Sequence, residues 1–274
     1  MEYSVLENGL DFVLMATNNL AIINENLQGN EANKRLMKYA LLHLPSGIEL
    51  IFKHKLLQEH WTYVFADMNK ARKDALQSGE FKSVDSETAI ERVRSFCDVG
   101  LTKEEVRDLR NLRNRRNKAE HFRLKESVLS IESSMHRSIS ILIRVIVDYY
   151  DLDSFTDEEN ELYSQIKTLL RQSQEHYSDA KMLVKKETEK MGMEKQLTMC
   201  PECHECFLTR GDGAKCIFCN YDAPGEEAAR EYICSVLGIS EYEITKDGGE
   251  FPQYDCPKCD NKALVYDTTN NRIV

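Results

Sequence analysis

Eight of the nine cysteines lie at or beyond Cys200, and six of them fall into three Cys-x-x-Cys pairs: Cys200/Cys203, Cys216/Cys219 and Cys256/Cys259. This crowding splits the chain into two folding problems. The last quarter is too short and too polar to build a large apolar core, so thiolate–metal bonds must supply much of its folding free energy. Everything before it has one cysteine, Cys97, read as a small core residue, and must fold by burying apolar side chains.

The first half is patterned for helices. Val13, Ala16, Leu20, Ile23 and Leu27 recur at the spacing of one buried helical face. Leu36, Met37, Ala40 and Leu44 define a second helix, with a kink or break expected at Pro45-Ser46-Gly47 before Ile48, Ile51, Phe52 and Leu56 resume. A further helix is expected over Tyr63 to Gln77, stopped at Ser78-Gly79. Another starts at Asp85-Ser86, carries Ile90 and Val93, and closes at Gly100. Thr102 with Glu105, and Thr156 with Glu159, have capping-box spacing. The first opens a helix over about 102–125 and the second a long polar helix ending near Met191-Gly192. Between them Val128, Ile131, Met135, Leu142, Val145 and Tyr149 mark one more helix. The predicted fold class is therefore mainly α. A helical bundle spans 1–152, a connecting helix acting partly as a stalk spans 153–195, and a small β-rich cysteine domain spans 196–274.

With 30% charged residues and a net charge of −10, the chain reads as a soluble globular protein. No apolar run reaches the length of a membrane span, and the first residues lack the pattern of a signal peptide. A cytoplasmic location without membrane association is expected, where paired cysteines bind metal more often than they form disulfides.

Twelve residues separate the first two cysteine pairs and contain Gly211-Asp212-Gly213, a hairpin-turn signal. That is the pattern of a zinc ribbon, in which two thiolate pairs close one tetrahedral site. The third pair precedes an apparent hairpin through Ala263–Tyr266 and Arg272–Val274. It belongs either to a second zinc with Cys206, His204 or Cys234, or to a ribbon built from another combination of pairs. Cys200, Cys203, Cys216, Cys219, Cys256 and Cys259 are the candidate ligands of one or two structural zinc ions. Four thiolates saturate a zinc, so the expected role is recognition or protein contact, not chemistry at the metal.

The most charged stretch lies elsewhere. From Arg107 to Arg123 seven basic residues stand against two acids, Asp108 and Glu120, in a chain that is otherwise acidic. At its centre is Arg113-Asn114-Arg115-Arg116-Asn117-Lys118-Ala119-Glu120-His121. Arginine can fork onto a phosphate and histidine can move a proton near neutral pH, the pair needed to cleave RNA without a metal. A solvated basic helix face is the plainer alternative.

Arg116-Asn117-Lys118-Ala119-Glu120-His121 resembles the signature of the HEPN superfamily, an arginine followed four to six residues later by a histidine. The all-helical first 150 residues, with the motif late and a glutamate-bearing apolar helix at Gly47–Lys53, are similar to a HEPN bundle; the tail lies outside the resemblance. The resemblance implies a metal-independent endoribonuclease, usually a homodimer through the helical domain, sometimes a toxin or antiviral-defence effector. It implies that Arg116 and His121 are catalytic with Asn117 assisting; the surrounding cations Arg110, Arg113, Arg115 and Lys118 are the expected substrate-binding residues. The expected products carry 2′,3′-cyclic phosphate and 5′-hydroxyl ends. On a regular helix Arg116 lies roughly 140° from His121, whereas Arg115 also fits the family spacing. An inactive RNA-binding or adaptor protein is the alternative, and a regulatory protein partner fits either.

Overall fold

In the computed structural model all residues are described except 1–2, 26–30, 194–195, 212, 247, 249–250, 258–259, 268–271 and 274. The chain forms two compact units, Met1–Leu124 with Met135–Gln174, and Lys125–Ser134 with Glu175–Val274. Among the described residues no helix is long and apolar enough to cross a membrane.

The first unit is helical. Its scaffold is the pair α1 (Val5–Glu25) and α2 (Glu31–Glu59). Leu6, Leu10, Val13, Ala16 and Leu20 of α1 are buried with Met37, Leu41, Leu44, Ile48, Ile51 and Phe52 of α2. The expected break at Pro45-Ser46-Gly47 does not occur; Pro45 sits inside one continuous helix. Proline forfeits one ladder hydrogen bond, and Ser46 Oγ turns back to the Leu42 carbonyl at 3.1 Å. Gly47 has a different function. A Cβ there would come within 2.7 Å of both the Gly9 carbonyl oxygen and Val13 Cγ2, so the two helix backbones meet at this glycine.

The helix expected over Tyr63–Gln77 is instead two short 3₁₀ turns, Trp61–Val64 and Met68–Lys70, followed by α3 (Lys73–Ser78). Asp67 accepts the Asn69 N–H, a local bond that competes with helix. Arg92 collects the carbonyls of Tyr63 and Phe65, each at 2.6 Å, satisfying acceptors a helix would have paired internally. Gly79 ends α3 at φ 75°, as its sequence position predicts. Helix α4 (Ser86–Phe96) is capped by Asp85 and stops before Gly100, because Asp98 takes the left-handed conformation at φ 51°.

Both capping boxes are present. Thr102 Oγ1 accepts from the Glu105 N–H and Glu105 Oε2 from the Thr102 N–H, which starts α5 (Lys103–His121). Thr156 and Glu159 do the same for α7 (Asp157–Lys190). Helix α6 (Val128–Tyr149) lies between them in sequence.

Among the described residues the second unit holds two three-stranded antiparallel sheets. The first joins β1 (Leu208–Arg210), β2 (Ala214–Cys216) and β3 (Asp222–Ala223), with Arg210 opposite Ala214 at the predicted hairpin. Helix α8 (Gly225–Glu231), a π-helical turn over Tyr232–Val236 and α9 (Glu241–Lys246) follow. The second sheet joins β4 (Gln253–Asp255), β5 (Lys262–Asp267) and β6 (Arg272–Ile273). The last part of α7 is not a bare stalk. Tyr177, Ala180 and Val184 pack on the cysteine core, and Glu205 receives Tyr177 Oη at 3.0 Å and Lys181 Nζ at 2.6 Å.

Candidate functional site

Helix α5 carries the basic motif. Val106, Leu109 and Leu112 step along its buried face at intervals of three, and the next step is Arg115, which is 6% exposed. Arg115 is therefore withdrawn from the surface where a phosphate would be met, contrary to its expected role. Arg110 and Arg113, expected to bind substrate, both pair with Glu87 of α4, Arg113 Nη1 at 3.3 Å. Asp108, buried on the same helix, meets Arg137 Nε at 3.3 Å.

At the carboxyl end of α5 the motif comes together in one place. Glu120 Oε2 lies 2.6 Å from Arg116 Nη1 and 3.3 Å from His121 Nε2, and Arg116 Nη1 also donates to Asn117 Oδ1 at 3.0 Å. The long guanidinium arm crosses the angular gap between Arg116 and His121, and Glu120 is where the two side chains meet. In the sequence Glu120 is an acid able to pair with a nearby arginine. Its position four residues after Arg116 was the available signal, since such pairs share a helix edge. His121 remains exposed, as do Lys118, Phe122 and Arg123. Cations in the last turn of a helix also complement its carbonyl end.

The second assembly is the thiolate cluster. The sulfurs of Cys200, Cys203, Cys216 and Cys219 all lie within 4.8 Å of one another, and all four residues are buried. Cys200–Cys219 and Cys203–Cys216 are each separated by 3.7 Å. A disulfide requires about 2.05 Å, whereas a tetrahedron of thiolates bonded at about 2.3 Å has edges near 3.8 Å. The spacing thus suits four ligands around one ion. Hydrogen bonding to Cys200, Cys216 and Cys219, with burial, pushes Cys203 up. Bonds from Cys200, Cys203 and Cys219 hold Cys216 down. A bound cation favours the thiolate form of each sulfur that coordinates it.

Backbone geometry explains why these pairs present their sulfurs together. The Cys200 and Cys216 N–H groups donate to the carbonyls of Glu205 and Tyr221, and their carbonyls accept from His204 and Asn220. His204 and Asn220 are left-handed, at φ 60° and 61°. Cys256 repeats the arrangement: its N–H donates to Asn261 O at 2.8 Å, its carbonyl accepts from Asp260 N–H at 2.9 Å, and Asp260 has φ 57°. The third pair therefore opens a turn of the same kind, while Cys259 lies outside the described residues. Among the described residues, His204, Cys206, Cys234 and Cys256 do not join the four-cysteine cluster. His204 instead bonds Ser235 Oγ at 2.7 Å.

No family model, curated protein or solved structure matches this chain. The functional reading therefore rests on the α5 terminus and the thiolate cluster themselves.

Proposed function

We propose that this chain is a metal-independent endoribonuclease of the HEPN kind, with a structural zinc in its cysteine cluster. One observation carries the reading. An exposed histidine and a half-exposed arginine converge on a single anionic group, the Glu120 carboxylate, with Asn117 alongside. A phosphate oxygen is also an anionic acceptor, and arginine binds it in the same forked manner.

In the proposed reaction His121 takes the proton from a ribose 2′-hydroxyl. The freed oxygen attacks the adjacent phosphorus, Arg116 neutralises charge on the phosphoryl oxygens, and the bond to the 5′-oxygen breaks. The leaving oxygen is protonated by the His121 of a second copy across a homodimeric cleft. The products are a 2′,3′-cyclic phosphate and a 5′-hydroxyl, and DNA is not cut. Zinc fits the thiolate cluster because it favours soft, tetrahedral, four-thiolate surroundings. There it closes the ribbon and takes no part in cleavage.

The test is end-labelled RNA incubated with purified full-length protein without magnesium, with bound zinc measured before and after. Cyclic-phosphate ends are expected, and His121→Ala and Arg116→Ala should each lower the rate by about 10²–10⁴-fold. Cleavage that persists in both variants would place the chemistry elsewhere.

A second reading is favoured by the ion pair itself. Glu120 holds Arg116, so an RNA-binding or adaptor protein without catalysis fits the same geometry. It predicts an inert wild type that still binds RNA.

A further inference from the structure

Phe122 follows His121 directly and is 92% exposed, more than any other large apolar side chain among the described residues. Its backbone is not loose. The Phe122 N–H donates to the Lys118 carbonyl at 3.1 Å, closing α5, and φ −150°, ψ −107° then turns the chain out of the helix. The phenyl ring is thus presented from an anchored position while forgoing the free energy of burial. Its sequence neighbours are not apolar. Lys118, His121 and Arg123 are exposed. A protein-binding surface needs a contiguous apolar centre. A lone aromatic ring among cations suits a ligand that offers a flat ring and a negative backbone together, as an unpaired nucleotide does.

We infer that Phe122 is a base-stacking platform beside the cleavage site, and that the substrate is RNA single-stranded there. The inference rests on the ribonuclease reading. In a duplex the bases stack on one another and present no free face. In a single strand, a base next to the scissile phosphate can lie on Phe122 while Lys118 and Arg123 meet its phosphates. Stacking then holds the 2′-hydroxyl within reach of His121.

The experiment measures binding and cleavage separately, with full-length protein. Fluorescence anisotropy on a short single-stranded RNA and on the same sequence in a duplex is run in a His121→Ala background, so that the probe survives. Phe122→Ala and Phe122→Leu should weaken single-strand binding by on the order of tenfold, and Phe122→Trp should restore it. Duplex binding should be weaker in the parent and unmoved by all three. With His121 intact, cleavage should follow the same order. Circular dichroism guards against misfolding, which an exposed side chain gives little reason to expect.

Single-strand binding unchanged in Phe122→Ala would overturn the inference. So would a shift in sedimentation on losing the ring, because Phe122 would then serve contact between protein chains. If His121→Ala abolishes cleavage while Phe122→Ala is neutral, the platform fails and the ribonuclease reading survives. If binding depends on Phe122 but wild type never cleaves, the platform stands and the ribonuclease reading fails. An RNA neither bound nor cut would remove both.

Discussion

Replacing Gly47 with alanine tests the closest approach in the helical unit, and the sign of the effect is the decisive result. For an ordinary helix position alanine is better than glycine by about 0.8–1 kcal/mol. A glycine after Pro45 in mid-helix is a natural target for such stabilisation. The structure predicts the reverse. A Cβ at Gly47 would stand 2.7 Å from the Gly9 carbonyl oxygen and 2.7 Å from Val13 Cγ2, with the Val13 nitrogen at 3.1 Å. Two of these three atoms are backbone and cannot rotate aside, so α1 must move. Overpacking of this kind costs about 1–3 kcal/mol. After the propensity gain is set against it, Gly47→Ala should destabilise by about 0–2 kcal/mol. Gly9→Ala should cost less, because its nearest obstacle at 2.8 Å is the Ile51 side chain. Urea unfolding followed by helical ellipticity, with hydrogen exchange to locate the loss in α1 and α2, would measure both. A Gly47→Ala protein more stable than wild type would refute the close-contact argument.

Two further predictions concern the candidate sites. Cys219→Ser should abolish stoichiometric metal binding, read by elemental analysis; metal retained at the wild-type level would place the ion on other ligands. In the unmodified protein the metal should be lost progressively as pH falls, because protons compete for the thiolates. Glu120→Gln should release Arg116 from its 2.6 Å ion pair and raise RNA affinity, most clearly at low salt. Stability should change by no more than about 0.5 kcal/mol, as for an exposed helical pair. Weaker RNA binding in that variant would mean that Glu120 positions the site instead of masking it.

The helices were legible because their signals are local and redundant. The apolar stripes of α1 and α2 and the capping boxes of α5 and α7 each appear in the sequence and in the structure. Pro45-Ser46-Gly47 misled because a break signal and a helix-crossing signal share a residue, and only the partner helix with Gly9 distinguishes them. Tyr63–Gln77 misled because Arg92, far along the chain, supplies the bonds that favour 3₁₀ turns. At the motif, residue types were readable but allegiances were not. Arg110 and Arg113 are engaged by Glu87, and Arg115 follows the buried stripe. The spacing of the first two cysteine pairs signals their cluster and leaves open how the third pair combines with them. An overlooked signal was the residue after each pair, His204, Asn220 and Asp260, since those residue types adopt left-handed backbone most readily after glycine.

The repeated cysteine turns also bear on the order of events when the second unit folds. Each is closed by bonds spanning only a few residues, from Cys200 to Glu205 and from Cys216 to Tyr221. Loops that short close in about 10–100 ns, while a hairpin takes about 1–10 μs. Each turn can therefore offer a pair of sulfurs long before β1 and β2 find their register. Capture of an ion by this cluster would then be a two-step encounter, with the slower hairpin joining the second pair to the first. Lengthening the Gly211–Gly213 corner raises the entropy cost of joining the two pairs, so it would weaken metal retention without altering a single ligand.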